Sequence, residues 1–177
     1  MQMGRVLTAF NIRRAKPADA DAILRCLSVA FEPYREQYSV EGFRDTTLTS
    51  ETIGHRMRDM VLLVACTASG DVVGTIAWQL VDREEGHIRG MAVLPEFQSR
   101  GVAQKLLGMV ERELQDQGCS RVTLDTTAPL QRAIHFYEKN GYRRSGKVGD
   151  FFGMPLYEYV KDLLPTTGTP STDNAAR

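Results

Sequence analysis

The chain reads as one α/β domain of the α+β type, built on a mixed, mostly antiparallel sheet of six to seven strands flanked by about four helices. Three observations carry that reading. The β-rich runs Val61 to Thr67 and Val72 to Val81 are joined by the turn sequence Ala68-Ser69-Gly70-Asp71. A further run, His87 to Val93, follows the polar turn Asp82 to Gly86, so three strands succeed one another in antiparallel order. The amphipathic stretch Val102 to Gln117 then leads to another strand, Arg121 to Thr126, and a strand–helix–strand crossover requires two parallel strands.

The elements follow in order. Asn11 to Ala15 predicts a first strand, and Pro17 suits the opening turn of a helix whose face is Ile23, Leu27 and Ala30 or Phe31, ended by Pro33. From Glu32 to Asp59 the pattern is poorer. Tyr34, Tyr38 and Phe43 stand among polar residues, and a second helix is expected from Ser50 to Asp59. This stretch either walls a binding site or caps the core with its aromatics. In the Val72 to Val81 strand, Ile76, Trp78 and Leu80 share a face, which makes Trp78 a core residue rather than a ligand platform. The central helix rests on Val102, Leu106, Val110 and Leu114 at every fourth position, with Leu107 beside them and Gly118 as a left-handed stop. Pro129 opens a last helix carrying Ala133, Phe136 and Tyr137, closed by Asn140-Gly141. Tyr142 to Lys147 and Met154 to Lys161 complete the sheet, connected through Gly149 to Gly153. The domain spans 11–164, after an N-terminal extension at 1–10 and before a disordered tail at 165–177 that is rich in Thr, Ser and Pro.

Composition excludes more than it identifies. At 177 residues, 42% hydrophobic and 25% charged, the chain is long enough for one sizeable core. Lysine plus arginine equals aspartate plus glutamate at 22 each, so no basic field attracts nucleic acid or an anionic membrane. Three cysteines, Cys26, Cys66 and Cys119, lack metal-ligand spacing with the three histidines. No metal is expected. Residues 1–10 are too short and polar for a secretory signal, no 18-residue apolar run exists, and the expected location is the reducing cytoplasm. Cys119 follows a helix C-terminus, where the dipole disfavours a thiolate, so it reads as structural.

The informative stretch lies between the strand end Met91-Ala92-Val93 and the central helix. Pro95 stops the ladder, and Gln98, Ser99, Arg100, Gly101, Val102 and Ala103 make a short loop into a helix N-terminus. Unpaired amides and the macrodipole there favour an anion such as phosphate, Gly101 permits close approach, and Arg100 adds positive charge. An ordinary strand-to-helix turn with a structural glycine would show the same pattern. The spacing is neither that of an NTP-binding loop nor that of a dinucleotide fingerprint.

Gln98-Ser99-Arg100-Gly101-Val102-Ala103 resembles the acyl-CoA loop, Gln/Arg-x-x-Gly-x-Gly/Ala, of the Gcn5-related N-acetyltransferases (GNAT), and Ala92-Val93-Leu94-Pro95-Glu96-Phe97 is similar to the strand end before it. Arg132 to Tyr142 is similar to the last helix of that family, Ala-x-x-x-Tyr-Glu-x-x-Gly-Phe, at the expected separation. The resemblance implies a splayed parallel pair of strands, with CoA entering near Val93 and Thr126. It also implies that pantetheine pairs with the main chain of Met91, Ala92 and Val93, and that the pyrophosphate sits on the amides of Gln98 to Ala103. Leu130 departs from it, standing where an asparagine often contacts pantetheine.

Acyl transfer from a thioester to an amine needs an uncharged amine, a donor to the developing oxyanion and a proton for the thiolate, and no covalent enzyme intermediate if both substrates are held together. Tyr137 is the expected acid, as in many resembled proteins; its alternative is packing. His87 is the expected base, sharing a face with Arg89, Met91 and Val93 if no bulge intervenes; its alternative is a structural role. Glu84, Glu85 and Asp125 stand behind it, and the resemblance places the oxyanion donor at a main-chain N–H near Met91 or Ala92. The expected activity is acetyl-CoA-dependent N-acetyl transfer to a small-molecule or peptide amine. Competing readings are a non-catalytic acyl-CoA sensor and a site for nucleotide phosphate. Resembled proteins commonly form homodimers. Peptide N-termini, lysines, polyamines, amino acids and antibiotics all remain open as acceptors, to be chosen among by segments 32–59 and 148–153.

Overall fold

A computed structural model describes residues 9–165. The expected extension at 1–10 and tail at 165–177 fall outside them, apart from Ala9, Phe10 and Pro165. Packing begins at Phe10, which is buried and meets the ring of Phe97 edge-on. The strands are β1 (Asn11–Arg14), β2 (Val61–Cys66), β3 (Val72–Leu80), β4 (Glu85–Val93), β5 (Arg121–Thr126), β6 (Arg143–Phe151) and β7 (Met154–Asp162). They form one sheet in the order β1-β2-β3-β4-β5-β7-β6, in which only β4 and β5 are parallel.

Helices cover both faces because both sets of alternating strand residues are apolar at the centre of the sheet. On one face α4 (Val102–Asp116) buries Val102, Leu106, Leu107, Val110 and Leu114 against Ile76, Trp78, Ile88 and Leu124, with α5 (Gln131–Lys139) beside it. Trp78 is core, as expected, and its indole N–H donates to Glu113 at 2.7 Å. On the other face α1 (Ala20–Phe31) and α3 (Thr52–Asp59) bury Ile23, Leu27 and Ile53 against Leu62, Val64, Ala77 and Ala92. Glu111 on α4 accepts from the Tyr142 hydroxyl at 2.9 Å and from Lys161 of β7 at 3.0 Å, which ties the helix to the far end of the sheet.

Three local differences from the sequence reading have physical causes. A further helix, α2 (Val40–Thr47), stands where only scattered aromatics were read. Ser39 caps it by accepting from the Gly42 N–H at 3.2 Å, and buried Phe43 and Thr47 share its inner face; two turns are too short to show a period. Helix α1 ends at Phe31 as read, but the chain does not leave helical form at Pro33, which sits in the first turn of a 3-10 segment, Glu32–Gln37. Strand β6 runs on to Phe151, so residues 149–151 belong to a hairpin with β7 instead of a loop. It is an exposed edge strand without apolar alternation, and sequence periodicity could not extend it.

The difference with most consequence lies in β4. Ala77 pairs with Arg89 but Thr75 pairs with Ala92, so β4 carries one extra residue between them, and Gly90 there has φ +64°. The condition for His87, Arg89, Met91 and Val93 to share a face therefore fails. His87, Arg89 and Ala92 lie on the face of α1 and α3, whereas Ile88 and Val93 lie on that of α4. Gly90→Ala would strain the positive φ and place a Cβ 2.6 Å from Nη1 of Arg56. A loss of about 1–3 kcal/mol is expected, read as a lower urea midpoint at unchanged slope.

Candidate active site

Strands β4 and β5 pair from Glu85 with Arg121 to Ile88 with Leu124, and no further. Beyond that point Arg89 to Val93 pair only with β3, and Asp125 and Thr126 only with β7. The two parallel strands thus part at their C-terminal ends, the splayed pair expected from the resemblance. The gap has one bank on β4 and the other on β5 and β7.

At the α4 end of the gap, the loop from Gln98 to Ala103 has the form the motif demands. Among the described residues, the N–H groups of Ser99, Arg100 and Gly101 have no protein acceptor, and Val102 to Gln104 form the first turn of α4, whose amides have none by geometry. Gly101 caps the helix at φ +84°, and a Cβ built there would meet nothing within 4 Å, so the hollow in front of the amides is open. Arg100 is exposed with its guanidinium 5.4 Å from the Phe97 ring centre. Gln98 turns inward: its Nε2 donates to the Val93 carbonyl at 3.1 Å, so this side chain and that carbonyl are already engaged with each other. Arg132 of α5 donates to the Ser99 hydroxyl at 2.9 Å and brings a second cation to the hollow. The sequence reading did not single out Arg132 as a site residue, since contact across elements leaves no local pattern. These features fit a pyrophosphate.

On the same face, Thr126 Oγ1 is buried without a hydrogen-bond partner, at the end of β5 where the strands part. Tyr137 is 7% exposed, its ring edge-on to Phe136 and Tyr142, and its hydroxyl has no protein partner among the described residues. Burial pushes the phenol well above its usual range, so the hydroxyl, protonated at neutral pH as any phenol is, holds its proton more tightly. Leu130 precedes α5 half-buried and its side chain supplies no hydrogen bond. Cys119 is buried in the core.

On the opposite face the structure brings His87 and Asp125 together. His87 Nδ1 lies 2.9 Å from Thr123 Oγ1, which lies 3.2 Å from Glu85 Oε1. Arg121 pairs with Glu85. The chain is satisfied when Thr123 donates to Glu85 and accepts from His87 Nδ1–H, which leaves Nε2 basic. That nitrogen faces Asp125 Oδ2 at 3.5 Å, close enough for one donor seated beside the pair to be shared by both acceptors. Burial lowers the His87 pKa below its ordinary value, and burial raises that of Asp125. Glu84 instead uses its main-chain carbonyl to hold Ser120 and Arg121.

A cavity of about 450 Å³ adjoins this pair, lined by Asp125, Lys147, Val148, Gly149, Leu156 and Glu158. Of the two segments whose role was open, 148–153 lines it through Val148 and Gly149, and the two segments touch each other. The Tyr38 hydroxyl bonds Thr127, its ring meets Phe151 edge-on, and Ser39 donates to the Phe152 carbonyl at 3.2 Å. Phe43 is buried beneath Arg35, so this aromatic of the segment caps the core. Among the described residues no cluster of side chains could hold a metal ion, and no helix is long and apolar enough to cross a membrane.

A family model described as acetyltransferase (GNAT) family matches residues 23–142. The fold is similar to an acetyltransferase of the GNAT family from Staphylococcus aureus Mu50, with TM-score 0.71 and 20% identity over 88% of this chain and 100% of that one. It is equally similar to the PaiA N-acetyltransferase from Thermoplasma acidophilum in complex with coenzyme A, with TM-score 0.71 and 20% identity over 87% and 99%. The ribosomal-protein-S18-alanine N-acetyltransferase from Escherichia coli matches with TM-score 0.70 and 16% identity over 96% and 100%. Gly101→Val should fill the hollow in front of the loop amides. CoA affinity measured by calorimetry is expected to fall about tenfold or more, the worth of one good charge-assisted hydrogen bond.

Proposed function

The chain belongs to the acetyltransferase (GNAT) family, and we propose that it transfers the acetyl group of acetyl-CoA directly to a primary amine held beside His87 and Asp125. The observation that carries this reading is the parting of β4 from β5, which opens a passage between the anion-binding loop on one face and a proton-accepting pair on the other. Acetyl-CoA, as substrate, supplies an activated acyl carbon and a thiolate leaving group. The rest is the work of the chain. The loop from Ser99 to Ala103, with Arg100 and Arg132, holds the pyrophosphate. The free edge of β4 at Met91 and Ala92 orients the pantetheine arm, and a main-chain N–H there is placed to stabilise the oxyanion.

The amine arrives as an ammonium ion. Asp125 holds it and Nε2 of His87 takes its proton, which frees the nitrogen lone pair for attack. Glu85 and Thr123 keep Nδ1 protonated and so keep Nε2 available. Tyr137 gives its proton to the departing thiolate, and the second proton that the attacking nitrogen loses as the amide forms restores the phenol. The free thiols of Cys26, Cys66 and Cys119 suit a reducing cytoplasm.

CoA release over an amine panel tests the activity; thermal stabilisation by acetyl-CoA with no release on any amine would favour the acyl-CoA sensor. Because the His87 pKa is lowered, its basic form persists below pH 6.5, and kcat/KM should fall only as pH drops beneath that value. His87→Ala should abolish this acid limb and slow turnover by about 10²-fold or more. Tyr137→Phe should lower kcat by a similar factor of about 10² with little change in the KM for acetyl-CoA. Near-normal turnover with both substrates saturating would remove Tyr137 from the role.

A further inference from the structure

One buried charge is not used by the proposed chemistry. Arg56 of α3 is 8% exposed, yet among the described residues its guanidinium has neither a hydrogen-bond acceptor nor a carboxylate within salt-bridge distance. It lies against the β4 bulge: the Cβ that Gly90 lacks would stand 2.6 Å from Nη1. The charged groups nearest it are Arg89, which repels it, and Asp45, whose carboxylate already pairs with Arg89 Nη2 at 2.6 Å. Burial lowers its pKa to about 10, so it remains a cation at neutral pH. Leaving such a charge unpaired is costly unless a ligand supplies the counter-charge. None of the nitrogens of Arg56 is both sealed from solvent and unpartnered, so the group opens onto accessible space.

The banks of the gap are therefore oppositely charged on the His87 face. The β4 bank carries Arg56 and Arg89 against one carboxylate, Asp45. The β5–β7 bank carries Asp125 and Glu158 against one amine, Lys147, which stands 3.8 Å from Glu158 and is mostly exposed. A molecule lying across the gap meets carboxylates on one side and guanidinium on the other. The adjoining cavity, about 450 Å³, has room for a small molecule.

We propose that Arg56, seated on Gly90 with Arg89 beside it, binds a carboxylate of the acceptor, so that the acceptor is a small molecule bearing both an amine and a carboxylate. This rests on the acceptor face assigned above. The test uses the full chain with saturating CoA, and compares binding of glycine, β-alanine, 4-aminobutyrate and 5-aminovalerate with methylamine, ethylamine, propylamine and butylamine. At the spacing that fits, the amino acid should bind about tenfold or more tighter than its carboxylate-free match, as a bidentate guanidinium–carboxylate contact allows. Arg56→Met should erase that difference while CoA binding stays intact, and Arg56→Lys should keep part of it, which also covers the case that the methionine variant does not fold. No carboxylate preference at any spacing, an equal loss on both series, or binding restricted to acidic peptides would overturn the inference. CoA release from acetyl-CoA on the same pairs separates the two readings. An Arg56-dependent preference without release removes acetyl transfer and leaves this site standing, whereas equal release from both series leaves acetyl transfer and removes the site.

Discussion

The extra residue in β4 governs the rest of the site. Without the bulge at Gly90, β4 would continue its ladder with β3 in simple alternation, and Ala92 and Val93 would exchange faces. With it, Ile88 and Val93 pack toward α4 while His87, Arg89 and Ala92 turn toward α1 and α3. The same locality is where β4 stops pairing with β5. A bulge bends its strand and ends pairing on a free edge, so one glycine is associated with both the opening of the gap and the sorting of side chains between its faces.

That sorting separates two kinds of electrostatics. The α4 face uses main-chain dipole: amides without acceptors, a helix N-terminus, an αL glycine that keeps the hollow open, and two arginines at its edge. Such a site tolerates varied sequence because its donors are backbone groups. The opposite face uses side-chain charges partly removed from water. Burial holds His87 neutral and makes Asp125 a more reluctant acid, and it leaves the Arg56 guanidinium uncompensated within the protein. Groups so disfavoured alone are the ones that gain most from a ligand of complementary charge.

The rigid parts of the molecule surround this arrangement without entering it. Trp78 bonded to Glu113, and Glu111 bonded to Tyr142 and Lys161, fasten α4 across β3 and β7 with satisfied polar groups. The α2 side and the β6–β7 hairpin meet through Tyr38, Ser39, Phe151 and Phe152. A scaffold with its hydrogen bonds closed can hold a few unclosed ones in place, and Thr126 Oγ1 and the Tyr137 hydroxyl are two of these on the α4 face.

Much of the fold was legible in the sequence because its signals are local. The stripe at Val102, Leu106, Val110 and Leu114, the turn at Gly70, and the crossover between β4 and β5 depend on residues a few positions apart. The loop at Gln98 to Ala103 was legible for the same reason, and its spacing with the Tyr137 helix pointed to the family. Helix α2 and the full length of β6 were not, since a two-turn polar helix and an exposed edge strand bury too little to leave a period. The face that His87 occupies, its partner Asp125 and the seat of Arg56 belonged to the tertiary structure alone. A one-residue bulge reverses strand faces without altering composition, and contacts between residues 34 and 38 positions apart are set by strand register and helix packing, which no local pattern encodes.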